Sequence, residues 1–215
     1  MTDSEAKVTE EPSHIDKLRY PVGIFEYGKN YSREETQNHI SKIEDFPARL
    51  KKLVTGMNDE QLDTPYRSGG WTTRQVIHHL PDSHMNAYIR FRLAITENKP
   101  TIKPYNEKAW ADLEDVKSLP PSASLILLDG LHQRWTAMLR MMKEEDFQKT
   151  FFHPEHLQSF TLADILAMYA WHCDHHYEHI NLVKKKFPLP SQKKTKKTSE
   201  PKSSTTKSSA RSRKS

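Results

Sequence analysis

The sequence predicts an all-α protein, a four-helix bundle with one long crossover connection and a disordered basic C-terminal tail. Three observations carry that reading. Four stretches repeat apolar residues at helical spacing, each opened by a capping or proline signal, and three of them are closed by Gly or Pro. No β-alternation is sustained, apart from a short extended segment or turn at Phe151-Phe152-His153-Pro154. The last 25 residues of the 215 contain only Ala210 from the apolar class, too little to bury against anything. The expected organisation is a disordered N-terminal segment over 1–17, a bundle over 18–190 and a disordered Lys/Ser-rich tail over 191–215.

The first helix opens at Ser32, whose hydroxyl can cap it while Glu35 reaches back as the acid of a capping box. Its stripe is Ile40, Ile43, Phe46, Leu50, Leu53 and Val54, with Pro47 expected to bend it and Gly56 to end it. The second follows Gly69-Gly70-Trp71, with Thr72 as cap and Gln75 as its partner, and runs to about Glu97. The third starts after Pro120-Pro121 and carries Leu125, Leu128, Leu131, Trp135, Met138, Leu139 and Met142. The fourth is capped by Thr161, with Asp164 in the third place, and extends to about Lys186 before Phe187-Pro188. About twenty residues rich in turns and aromatics, among them Pro104, Tyr105 and Trp110, separate the second helix from the third. Unequal connections of this kind favour a bundle with a crossover over a simple up-down bundle.

Charge separates body from tail. The tail holds nine basic residues and one acid, Glu200, whereas the whole chain is +5, so residues 1–190 sum to −3. The basic pI therefore belongs to the tail, and the body gives no electrostatic reason to bind nucleic acid beyond weak non-specific contact through that tail. A single cysteine, Cys173, excludes an internal disulfide and reads as a packed thiol. The N-terminus lacks the basic-then-apolar order of a secretory signal, and the longest apolar run, Leu125 to Leu128, is far short of a membrane span. A cytoplasmic protein without membrane contact is expected. Six glycines and the lack of a GxGxxG or GxxxxGK pattern argue against a Gly-rich phosphate loop.

Twelve histidines are a heavy load, and seven fall in two helices: His78, His79 and His84 on the second, His172, His175, His176 and His179 on the fourth. At about 100° per residue, the four on the last helix occupy the middle of its apolar stripe, with Ile165, Met168 and Val183. Burying an imidazole there costs roughly 1–3 kcal/mol unless its nitrogens find partners. Rings bonded to one another, to carbonyls or to water would meet that need; so would one divalent metal held by several neutral nitrogens. Residues i and i+4 of a helix reach the same ion. Spacing alone leaves open whether the pair is His172 with His176 or His175 with His179, and whether His78 or His79 faces it. His78, His84, His175 and His179 could support the ligands or carry protons, but at least two of them are expected to be partly exposed polar residues, and Asp82 is expected to orient a ring or meet solvent or Arg90. Trp71 and Trp135 are expected in the core.

The run Gly-Gly-Trp71-Thr-Thr-Arg-Gln-Val-Ile-His-His79-Leu-Pro-Asp82-Ser-His84, followed far downstream by Tyr169-Ala-Trp-His172-Cys-Asp-His-His176-Tyr-Glu-His179, resembles the YfiT group of the DinB-like superfamily. Leu18-Arg-Tyr-Pro-Val-Gly, Leu62-Asp-Thr-Pro-Tyr66 and His153-Pro-Glu155 occur in the same order as in that group. The resemblance spans Leu18 to Val183 and implies a four-helix bundle that binds zinc, or else nickel, through three histidines. Its motif positions fall on His79, His172 and His176, with His179 where many members carry glutamine. Pro81 stands where a residue better suited to a helix is usual.

Three histidines leave coordination positions open, as in catalytic rather than structural sites. The function expected is a metal-dependent hydrolase, the ion activating water as nucleophile. An alternative implied by the resemblance is transfer of a low-molecular-weight thiol, bacillithiol or glutathione, in detoxification. A third is a non-catalytic, metal-stabilised structural or regulatory bundle, in which His175 or His179 would close the shell. The expected partners are a small-molecule substrate and a second copy of the chain in a homodimer.

Overall fold

The computed structural model describes residues 14–187; the tail at 191–215 and residues 1–13 of the N-terminal segment lie outside the described residues. A short helix α1 (His14–Arg19) crosses the boundary expected at residue 17 and leads into α2 (Arg33–Val54). The Ser32 hydroxyl accepts from the Glu35 amide at 3.2 Å and the Ser32 amide donates to the Glu35 carboxylate at 2.8 Å, closing the capping box. Gly56, at φ +80°, turns the chain out of α2, a conformation costly for any side chain. Helix α2 runs unbroken through Pro47. One turn of helix, α3 (Asp59–Leu62), precedes α4 (Thr73–Thr96).

The first residues of α4 are fixed by Thr72, whose hydroxyl accepts from the Gln75 amide at 3.1 Å while its own amide donates to Gln75 Oε1 at 2.9 Å. Thr72→Ala removes this box and is expected to cost about 1 kcal/mol. Thermal unfolding of the metal-free protein should then shift down by roughly 2–4 °C; an unchanged midpoint would show that α4 is held by packing alone.

Two short helices, α5 (Glu107–Ala111) and α6 (Glu114–Ser118), occupy the long connection before α7 (Pro121–Met141), where Pro121 sits in the first turn. A 3₁₀ turn (Glu144–Gln148) then leads to β1 (Thr150–His153), which pairs antiparallel with β2 (Gln158–Thr161), Phe151 opposite Phe160. The second strand was not foreseen; four residues without alternation give no periodic signal. Helix α8 (Leu162–Lys186) closes the fold, its cap Thr161 accepting from the Asp164 amide at 3.0 Å.

In the bundle α2 and α4 each pack against both α7 and α8, so α2 faces α4, and α7 faces α8, across the diagonal. The core filling the centre includes Ile40, Phe46, Phe91, Leu128 and Trp135, each fully buried. The long connection is tied to the hairpin rather than left loose: the Phe152 amide donates to Pro100 O at 2.9 Å and the Ile102 amide to Phe152 O at 3.1 Å. That junction sets the outer wall of the cavity beside α4 and α8.

Candidate metal centre

Helices α4 and α8 bring together His79, His172 and His176. Each is at most 9% exposed, and one ring nitrogen from each lies within 4.8 Å of the others. The α8 pair stands one turn apart, and His79 Nε2 reaches across to within 3.3 Å of His172 Nε2. Ligand nitrogens at 2.0–2.1 Å from a tetrahedral ion are separated by about 3.3–3.4 Å, so this pair stands at the spacing a divalent ion requires. Burial disfavours the imidazolium of all three, moving His79 down to about 4 and His172 and His176 well below the ordinary histidine value. Neutral rings are the ligating form.

Other rings pack around these. Trp71 lies against His79, ring centres 4.7 Å apart, and parallel to His176 at 6.5 Å. It is half-buried and packs against the core at the edge of the centre; Trp135 is fully buried, as expected. The remaining ring nitrogen of His172, Nδ1, is 3.1 Å from His84 Nε2; His84 Nδ1 is 2.8 Å from His132 Nε2, and His132 Nδ1 is 2.6 Å from the Ile43 carbonyl oxygen. On the other side His176 Nδ1 is 3.3 Å from His179 Nδ1, and His179 Nε2 is 3.1 Å from the Arg19 carbonyl oxygen. His175, His176 and His179 also form a group of suitable spacing, which shares His176 with the first.

The expectation that at least two of His78, His84, His175 and His179 are partly exposed is wrong: all four are buried. His78 points away from the cluster, to Ser124 Oγ at 2.7 Å and Leu119 O at 3.2 Å, because adjacent helix residues diverge by about 100°. Asp82 makes no hydrogen bond to a histidine ring among the described residues; burial and the nearby Asp115 raise its carboxyl to about 6. Cys173 is fully buried on another side of α8, and burial pushes its thiol well up, the packed thiol expected.

No fourth His, Cys, Asp or Glu joins the first group among the described residues. A cavity of about 500 Å³ adjoins one of the three, His172, and has Tyr169, Arg90, Tyr105, His153 and Phe160 among its walls. Arg90 Nε and His153 Nδ1 are buried there without hydrogen-bond partners. Polar atoms left in that state cost free energy until something meets them, so the walls suit a small polar molecule.

The sequence profile of the DinB superfamily matches residues 42–180, a span that includes all three histidines. The chain belongs to the DinB superfamily. YfiT of Bacillus subtilis strain 168, named a candidate metal-dependent hydrolase, is 51% identical over 163 residues, 76% of this chain and 92% of its own length. A Bacillus cereus strain B4264 relative of the same designation is 50% identical over 172 residues, 80% of this chain and 98% of its own. The solved structure of Bacillus subtilis YfiT, described as having an unusual four-helix bundle topology, superposes with a TM-score of 0.77 at 49% identity, covering 79% of this chain and 97% of that one. A mycothiol-dependent maleylpyruvate isomerase shares the fold at 14% identity and a TM-score of 0.55, over 67% of this chain and 60% of its own.

In this DinB superfamily member, His132 escaped the sequence reading although a signal was present. It lies four residues after Leu128 and three before Trp135, on the buried stripe of its helix. Arg90 and Tyr105 carried no comparable signal, since the long connection that brings Tyr105 to the cavity has no period.

Proposed function

We propose that the protein is a metal-dependent hydrolase acting on a small polar substrate, with one divalent ion held by His79, His172 and His176. The observation that carries this is the convergence of three buried neutral imidazoles, without a fourth ligand among the described residues, beside a cavity with unpaired polar walls. Held by these three residues, a divalent ion would supply Lewis acidity and would lower the pKa of a bound water. The protein's own groups do the rest. Trp71 and the rings beyond the ligands keep water from the closed side, and Arg90, Tyr105 and His153 orient the substrate from the cavity wall. The lack of a fourth ligand among the described residues speaks for catalysis over a purely structural role. Zinc is the first choice of ion and nickel the second, both compatible with imidazole donors.

The test is a screen of ester and amide substrates with metal-loaded protein, with and without added bacillithiol or glutathione. Turnover without thiol, abolished by a chelator, supports hydrolysis. Consumption of thiol and electrophile in equal amounts would replace hydrolysis with thiol transfer at the same centre, and full activity of the metal-free protein would defeat both. Arg90→Met, which leaves the ligands untouched, is expected to lower kcat/KM about 10- to 100-fold, as loss of a charged hydrogen bond does, with metal content unchanged.

We further propose a homodimer, supported by the exposed apolar side chains Ile89 on α4 and Ile126 and Leu127 on α7; light scattering of the purified protein reads it directly. No helix among the described residues is long and apolar enough to cross a membrane. A cytoplasmic setting is supported by the single buried cysteine. The basic residues at 191–215 support no more than weak, salt-sensitive contact with polyanions.

A further inference from the structure

We propose that His84, His132 and His179 are positioning residues: two proton relays, each anchored on a backbone carbonyl, hold His172 and His176 in the tautomer that presents a bare Nε2 to the ion. The inference rests on the three-histidine reading above and concerns what readies those ligands before any ion arrives.

The first relay follows from which atoms can donate. The Ile43 carbonyl oxygen has no proton, so the 2.6 Å contact requires that His132 Nδ1 carry the hydrogen. A neutral imidazole has one N–H, so His132 Nε2 is then an acceptor, and the 2.8 Å contact makes His84 Nδ1 the donor to it. His84 Nε2 is left as an acceptor in turn, and His172 Nδ1 donates to it across 3.1 Å. The proton of His172 is thereby committed to Nδ1, and its Nε2 faces His79 Nε2, 3.3 Å away, as a lone pair. His84 and His132 are at no more than 1% exposure, so bulk solvent does not reach their ring nitrogens.

The second relay is shorter and built the same way. The Arg19 carbonyl oxygen fixes the proton of His179 on Nε2, at 3.1 Å. His179 Nδ1 is then an acceptor, and His176 Nδ1 donates to it across 3.3 Å, leaving His176 Nε2 bare. Tyr66, stacked on His179 with ring centres 3.9 Å apart, holds the ring in register. This arrangement also bears on the two histidine groups. A neutral His176 whose Nδ1–H is donated to His179 keeps its lone pair on Nε2, which disfavours an ion reached through Nδ1, the atom that faces His179. Partners of this kind fix the tautomer and orientation of a metal-ligating histidine, and losing one typically weakens metal binding 10- to 100-fold.

The test begins without metal. In protein labelled with ¹⁵N in its histidine rings, at pH 8 in EDTA, long-range ¹H–¹⁵N correlation spectra should show His132, His84, His172 and His176 as Nδ1–H tautomers and His179 as the Nε2–H tautomer. His172 or His176 protonated on Nε2 would overturn the proposal whatever the metal content. Zinc affinity is then measured by competition with a chelating dye. His132→Phe, which fills the space and removes the acceptor, should weaken zinc binding 10- to 100-fold and mix the His172 tautomers. His132→Gln, whose amide oxygen can take the place of Nε2, should restore affinity to within about threefold. Equal affinity in the wild type and the Phe variant would also overturn the relay. A wild type that shows the expected tautomers and binds no ion would instead sink the three-histidine reading and leave the relays standing.

Discussion

Lowering the pH from 7 to 5 is expected to unfold the metal-free protein. Burial holds His79, His132 and His179 neutral, with values near 4 in place of the ordinary 6.5. In the unfolded chain these rings take up protons below about 6.5, whereas in the folded protein they do not until about 4, so stability is present above 6.5 and is lost as the pH falls through that window. At pH 5 each contributes about 2 kcal/mol of destabilisation, and three together about 6 kcal/mol. That is comparable with the whole stability of a typical domain, roughly 5–15 kcal/mol. His84, His172 and His176 are shifted in the same direction by the same cause. Helical circular dichroism followed during acidification in EDTA should show a cooperative loss between pH 6 and 5, and saturating zinc should move it lower, since an ion bound only by the folded form adds its binding free energy. Metal-free protein whose denaturant midpoint stays constant from pH 7 to 5 would show that the rings charge without penalty, against the burial described.

The second large effect concerns the ligands. His79→Ala is expected to weaken zinc binding by more than the 10- to 100-fold typical of a supporting residue and to bring turnover to background, while His175→Ala stays within about threefold of the wild type. The contrast matters because His176 belongs to two histidine groups, and these two substitutions each touch only one of them. If His175→Ala lost the ion and His79→Ala kept it, the centre would lie toward α1, behind Trp171, whose ring stacks on His175 at 4.3 Å. Circular dichroism of both variants, recorded before titration, separates lost binding from lost fold.

Much of this was legible in the chain because its signals are local. Ser32 with Glu35 and Thr72 with Gln75 mark their helix starts within four residues, and both boxes form. The histidine-bearing face of the last helix follows from its period, and the rings on it are indeed buried. What the chain concealed depends on contacts remote in sequence. Nothing near Thr101 announces that it will lie beside Phe152, yet that junction carries Tyr105 to the cavity. Likewise nothing in the run around His84 foretells that its ring will bond to His132 forty-eight residues on and to His172 eighty-eight residues on. The diagonal placement of α2 opposite α4 was equally hidden, since an amphipathic stripe says that a face is buried and not against which helix.

Elemental analysis of untagged protein, purified in parallel with its His172→Ala variant and dialysed against metal-free buffer, tests the central claim most directly. The three-histidine centre predicts close to one equivalent of zinc or nickel in the wild type and less than about a tenth of that in the variant. One full equivalent retained by the folded His172→Ala variant would contradict it.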